Sequence, residues 1–449
     1  MAISRESLER IGSILMKNFQ ETLNQVDLNK IMSLWKPLPP EKPSKVYAVD
    51  GSRATSRLSG TIIYFLSSYA VGSGKSYRLN YANAMQYNYD ISDQLIRMQM
   101  ETLENMLGYL AGEKLNGKEK LILMDGTLTG SIIRPPVYPK DIQSIETVRY
   151  ILGEDNFEEL ILEFLTKLKS HYSRVSDALK GKKEHSAPIL ADEFAEEFRS
   201  KYLDNMLLGY LNEKIEVKLP RSLVKREGIP LSVLREAAEE GKSALEVLKD
   251  FEEDRLKVKV SRDDIEDAIH VILAYVEYLY SLDKLLTHKN VVYIAKSFYT
   301  KKLASELGLP IVDTALLDAV MRKALGVEEK GYLEFTEPIT PSHTIPEYLL
   351  KHFRNIENLV KKGIYMAYVR FERGDVIYMV QSKRNISDVL PLILAHKAGG
   401  YIRPLQLAHH GVKISYKEAR TNLDILVNSL RSKEPALKVF VKYGRAPLE

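Results

Sequence analysis

Two aspartates, Asp50 and Asp125, each stand at the close of a short apolar run and each precede a glycine, in K-V-Y-A-V-D-G-S and L-I-L-M-D-G-T-L-T-G. An apolar run of four or five residues that stops at Asp-Gly predicts a buried strand carrying a carboxylate at its C-terminal edge, with the glycine turning the backbone away. If the two strands are neighbours in one sheet, the two acids meet. Like charges held close are costly unless a cation lies between them, so the pair points to a divalent metal site. A third acid, Asp313, closes L-P-I-V-D in the same way.

A further ligand can come from a helix. Glu101 and Glu104 lie three residues apart in D-Q-L-I-R-M-Q-M-E-T-L-E-N-M-L-G-Y-L and share a helical face. Glu104 is closer to the apolar seam through Met100 and Leu107 and is the first choice; Glu101 stays open. Carboxylate oxygens suit hard octahedral ions, Mn²⁺ or Mg²⁺, and three or four of them fit two-metal phosphodiester chemistry. Of nine histidines, His409 and His410 draw interest, in R-P-L-Q-L-A-H-H-G, where an imidazole can ligate metal or protonate a leaving group. Lys296, Tyr299, Lys301 and Lys302 follow a strand and can meet a phosphate or a base, and Arg53 and Arg57, just past Asp50, can neutralise phosphates.

Two other chemistries are excluded. L-M-D-G-T-L resembles the phosphatase signature Asp-x-Asp-Gly-Thr, but Leu123 stands where the nucleophilic aspartate is needed. V-G-S-G-K-S lacks the first glycine of a P-loop, its place taken by Tyr69, and joins two strands.

The elements that position these residues follow from pattern. After an amphipathic N-terminal helix and the stiff P-L-P-P-E-K-P, three strands read as a meander: the run to Asp50, Thr61 to Val71, and Tyr77 to Tyr87. Ser92 caps a helix with its stripe at Ile96, Met100, Leu103, Leu107 and Leu110, and a strand then ends at Asp125. Strand, strand, strand, helix, strand, with acids on the first and fourth strands, resembles the ribonuclease H-like topology. Residues 141–289 read as a charged helical insertion. Strands resume at Asn290 to Ser297, and Gly363 to Phe371 pairs with Asp375 to Ser382 around Glu372-Arg373-Gly374. Helices are expected over about Ile386 to Ala398 and Tyr416 to Leu430. The division is therefore 1–36, an N-terminal helical segment; 37–140, the first half of an α/β, mixed-sheet core; 141–289, the insertion; and 290–449, the second half of the core with additional strands and helices.

At 449 residues the chain can hold two or three cores. Zero cysteines exclude disulfides and Cys-ligated zinc or iron–sulfur sites, and with abundant Lys and Glu lean toward a thermophilic source. A net charge of +4 permits nucleic acid without demanding it, so a basic surface must be local. No apolar run reaches the roughly 20 residues of a membrane span, and the N-terminus lacks a signal-peptide pattern, so a cytoplasmic protein is expected.

With Y-A-V-D-G-S, L-M-D-G-T-L-T-G, A-K-S-x-Y and the late P-x-x-x-A-H in place, the chain resembles the NurA family of archaeal DNA-end-processing nucleases. The resemblance implies a ribonuclease H-like core and a Mn²⁺-dependent enzyme. Its activity would be a 5′→3′ exonuclease on single- and double-stranded DNA and an endonuclease on single strands. It also implies a homodimer, partnership with the hexameric HerA helicase-translocase, and work in break resection alongside the archaeal break-processing nuclease–ATPase complex. Asp50 and Asp125 match the family's metal acids, with Glu104; Asp313, Lys296, Tyr299 and His409 match as further active-site positions. The competing reading is a non-catalytic ribonuclease H-like module that grips nucleic acid or a partner.

Overall fold

In the computed structural model, which describes residues 4–24, 26–58, 60–139, 142, 144–181, 187–199, 215–247, 255–414, 421, 424, 425 and 429, the meander forms as its alternation predicts. β1 (Lys45–Arg57), β2 (Thr61–Gly72) and β3 (Tyr77–Gln86) pair antiparallel in sequence order. α1 (Arg5–Asn24) and α2 (Leu28–Leu34) precede them, and α3 (Ser92–Gly112) follows. Ser92 lies inside α3, whose N-cap is Ile91; the Ser92 hydroxyl instead accepts the Asn88 N–H of the incoming loop. β4 (Lys120–Asp125) lies parallel to β1, and β7 (Val291–Ala295) lies parallel to β4. These five strands and α3 are the ribonuclease H-like core.

The sheet then extends by β10 (Tyr378–Ser382), β9 (Tyr365–Arg370) and β8 (Gly331–Glu334), giving eight strands in the order β3-β2-β1-β4-β7-β10-β9-β8. Successive side chains of a strand face opposite ways, and the burial follows that rule. Tyr47, Val49, Ile122, Met124 and Tyr293 pack under α3, whereas Val46, Ala48, Leu121, Leu123 and Ile294 pack on the other face. Each large apolar side chain so buried contributes about 1.5–3 kcal/mol.

α4 (Leu128–Ile133) lies just before the stretch expected to be helical, which holds α5 (Ile145–Leu152), α6 (Glu154–Leu179) and α7 (Ala191–Phe198). Three short helices, α8 (Arg221–Glu227), α9 (Leu231–Glu239) and α10 (Ala244–Val247), lie within a β-hairpin of β5 (Ile215–Pro220) and β6 (Arg255–Val260). The alternation R-L-K-V-K-V of β6 carries that hairpin signal. α11 (Arg262–Leu285) closes the stretch and packs directly on α3, so it completes the helical layer of the core. Its buried Glu277 accepts the N–H groups of Leu190 and Ala191 at the start of α7, and burial pushes that carboxyl up to about 8.

Beyond β7 come α12 (Lys302–Glu306), α13 (Asp313–Leu325), α14 (Glu347–Leu350), α15 (Arg354–Lys362) and α16 (Ile386–Leu394). A two-residue hairpin, β11 (Lys397–Ala398) with β12 (Tyr401–Ile402), leads into α17 (Arg403–Val412). α16 and α17 cover the sheet face opposite α3, making three layers. Asp313 does not end a strand: it opens α13, fully buried, where its carboxylate accepts the N–H groups of Leu303 (3.1 Å) and Ala304 (2.8 Å) and the Tyr368 hydroxyl (2.5 Å). The helix expected over Tyr416 to Leu430 falls almost wholly outside the described residues.

Candidate metal centre

Asp50 and Asp125 come together because β1 and β4 are parallel and in register. Val49 pairs with Met124, so the next residues on each strand are level, and both point to the face covered by α17. The two Asp-Gly steps, however, work differently. At Asp125 the strand ends as expected: Gly126 adopts φ +105°, and the Thr127 side chain accepts the Gly130 N–H (3.1 Å) to cap α4. At Asp50 the chain does not turn, since β1 runs on to Arg57. Gly51 is needed for space. A Cβ there would overlap the Glu104 carboxylate, which arrives from α3 on the opposite face.

His409 of α17 completes the group. Its Nδ1 lies 2.8 Å from Asp50 Oδ2, and one ligand atom each of Asp50, Asp125 and His409 lie within 4.8 Å of one another. α17 is held over β1 by the Ile414 N–H to Ser52 Oγ (3.2 Å) and by Gly411, whose missing side chain admits the Tyr69 ring. Lys296, following β7, places Nζ 3.8 Å from Asp125 Oδ2 and 4.5 Å from the Tyr401 ring centroid.

The electrostatics are those of crowded acids. Burial pushes the Glu104 carboxyl well above the usual carboxylate range, and the charges of Glu101, Asp50 and Asp125 push it further. Burial also raises Asp125, with Asp50 adding to it and Lys296 opposing. Such a set of oxygens and one imidazole can hold a divalent cation, which would remove the repulsion. The donor set fits Mn²⁺, which tolerates nitrogen beside oxygen better than Mg²⁺ does.

The remaining expected residues are placed as follows. Glu101 is bound by Arg97 (3.3 Å) and Arg134 (3.0 Å). Arg53 donates to the Asp93 carbonyl (2.9 Å), and Arg57 pairs with the Asp93 carboxylate (2.7 Å) while stacking on Tyr87, so both tie α3 to β1. Lys302 lies over the Phe335 ring at 4.6 Å, and Tyr299 is 86% exposed.

Two residues at the centre escaped the sequence reading. Tyr401 sits beside Lys296 with its hydroxyl buried and, among the described residues, without a hydrogen-bond partner; burial and the nearby Asp125 raise its pKa. A lone tyrosine on a two-residue strand has no periodicity to betray it. Arg134 follows α4 directly and reaches back to Glu101, a contact that only the fold creates.

Comparison with known proteins bears on this arrangement. A family model described as the NurA domain matches residues 44–414. The chain is 56% identical to the DNA double-strand break repair nuclease NurA of Pyrococcus furiosus over 450 residues, covering 100% of this chain and 99% of that one. A crystal structure of NurA bound to dAMP and manganese superposes with a TM-score of 0.81 at 54% identity, covering 97% of this chain and 100% of that chain. A crystal structure of NurA with manganese gives 0.79, also at 54% identity, over 96% and 100%.

Proposed function

The chain belongs to the NurA family, and from that premise we propose that it is a Mn²⁺-dependent DNA nuclease acting in double-strand break resection. In this reading it is a 5′→3′ exonuclease on single- and double-stranded DNA and an endonuclease on single strands. The observation that carries the proposal is the convergence of Asp50, Asp125 and His409, with Glu104 pressed against Gly51 beside them. The manganese held with dAMP in one similar crystal structure supports both the cofactor and the nucleotide chemistry. A module that merely grips nucleic acid would need cations at this edge rather than mutually repelling acids.

Asp50, Glu104 and Asp125 are the proposed metal-holding acids. A bound manganese supplies Lewis acidity to the phosphate and lowers the pKa of the attacking water. Asp50 Oδ2 fixes His409 Nδ1, which leaves Nε2 as the ring nitrogen free to join the cation's donor set. Lys296, aimed by Asp125 and Tyr401, meets the negative charge of the scissile phosphate. Arg53, Arg57 and Lys302 are proposed to grip phosphates farther along the strand.

Polarity is tested with duplexes blocked at one end. With Mn²⁺ present, blocking 5′ ends should halt degradation of linear duplex and blocking 3′ ends should not; the reverse pattern would overturn the assigned direction. Circular single strands should still be cut.

Homodimerisation and docking to a HerA-type helicase-translocase belong to the same reading. α1 exposes Leu8, Ile11, Ile14 and Met16. Val26 and Ile31, by contrast, are buried in the core beside α13, so α2 is part of the fold. Deleting residues 1–24 should therefore weaken dimer or helicase binding by at least about tenfold while sparing Mn²⁺ binding, since burying several apolar side chains is worth well over 1.4 kcal/mol. Sedimentation of the truncated and full-length chains checks this. Unchanged assembly in both respects would remove α1 from the interface.

A further inference from the structure

Glu101 and Glu104 lie one turn apart on α3 in different electrical company. Glu104 stands against Gly51, close to Asp50 and Asp125. Glu101 instead gives one oxygen, Oε1, to both Arg134 Nη2 (3.0 Å) and Arg97 Nε (3.3 Å); burial raises its carboxyl, and Arg134, Arg97 and Arg53 oppose that rise. Its other oxygen, Oε2, is buried and, among the described residues, has no hydrogen-bond partner; the same holds for Arg134 Nε. The side chains of Arg134 and Glu101 are only 23% and 15% exposed, so the pair is little screened by water. α4 starts three residues after Asp125 and Arg134 directly follows it, so the ion pair ties the segment that follows one proposed metal acid to the helix that carries another.

We propose that Arg134 is a positioning residue that holds Glu101 out of the cation's ligand set, so that one acid of the α3 pair faces the cation and the other is neutralised. The proposal rests on the metal centre described above. A fourth ionised carboxylate turned into the cleft would strengthen cation binding, but it would also oppose the phosphate that must enter. The unpartnered Oε2 is the oxygen that would turn there once Arg134 released Oε1. Arg97, one turn back on α3, 3.3 Å away and itself far more exposed, is the weaker of the two restraints.

The test is calorimetric titration of Mn²⁺ into the full-length protein without DNA, for wild type, R134Q, E101Q and the double variant, with thermal unfolding run alongside. R134Q should bind Mn²⁺ at least about tenfold more tightly, because one more uncompensated carboxylate charge beside a divalent ion, even at an effective dielectric of about 20, is worth more than that factor. E101Q, which leaves Arg134 uncompensated, should bind Mn²⁺ no more tightly than wild type, and the double variant, with both charges gone, should return to the wild-type value. A merely structural role for Arg134 would weaken Mn²⁺ binding instead. An R134Q affinity that is unchanged or weaker, or a gain that survives in the double variant, overturns the proposal. If R134Q does not fold, the double variant, which keeps the charge balance, decides: wild-type affinity supports the proposal, and a tenfold loss makes Glu101 a ligand and overturns it. D125N, titrated in parallel, separates the two readings. If D125N binds Mn²⁺ as wild type does, the metal centre itself is misplaced and the role of Arg134 falls with it.

Discussion

Replacing Asp125 with asparagine should lower DNA cleavage in Mn²⁺ by at least about 10³-fold, roughly 4 kcal/mol of transition-state stabilisation, with the fold intact. Asparagine keeps the shape of the side chain and removes the charge a cation needs. Asp50→Asn should lose as much, because it removes a metal acid and takes the charge from the acceptor that fixes His409 Nδ1. The metal-free D125N protein should not be destabilised. Burial and neighbouring charge raise the pKa of Asp125, so its ionised form costs folded stability at neutral pH, and the cost disappears as pH falls through that raised value. Asparagine removes the same cost. Steady-state cleavage of labelled DNA and thermal melts check both halves; turnover within tenfold of wild type in both variants would remove these acids from the mechanism.

Asp192→Asn should lower stability by about 3–5 kcal/mol, which is the usual cost of breaking a buried charge network. The Asp192 carboxylate accepts from Tyr64 (2.9 Å), Tyr81 (2.5 Å), Asn83 (2.7 Å), Gln99 (2.5 Å) and His270 (2.7 Å). Those donors come from β2, β3, α3 and α11, while Asp192 itself belongs to α7, so one side chain ties the charged stretch to the core. Burial alone would raise the Asp192 carboxyl, but the bond and charge of His270, with Tyr81 and Asn83, bring it well below the usual range. Burial alone would lower His270, and Asp192 reverses that. The sign for each follows from linkage. The contribution of Asp192 is present above about pH 4 and lost as pH falls through its lowered value. That of His270 is present below about pH 6.5 and lost as pH rises through its raised value. The gap between wild type and D192N in denaturant unfolding should therefore be widest between about pH 4 and 6.5. A gap below about 1 kcal/mol in that window would show the network to be ornamental.

Much of this was readable in the sequence. The runs ending at Asp50 and Asp125 announce buried strands, and the seam through Met100 and Leu107 favours Glu104 over Glu101; the structure places Glu104 against Gly51. The misreadings have local causes. In D-G-S the glycine looks like a turn, yet its purpose is to admit a side chain from another element, and no pattern within β1 encodes that. Pro310 and I-V-D imitate a strand end, but the residues after Asp313 repeat with helical period, and its carboxylate serves backbone N–H groups nine and ten residues back. Tyr401 and Arg134 are invisible because their partners are 105 and 33 residues away, at Lys296 and Glu101.

The central claim is that this cleft cuts DNA with a bound cation. End-labelled single-stranded DNA incubated with metal-free protein, then with added Mn²⁺, then with excess chelator, tests it most directly. Our account predicts no degradation without metal, release of mononucleotides once Mn²⁺ is present, and arrest on chelation. Degradation that proceeds unchanged in chelator, or intact DNA at saturating Mn²⁺, would contradict it.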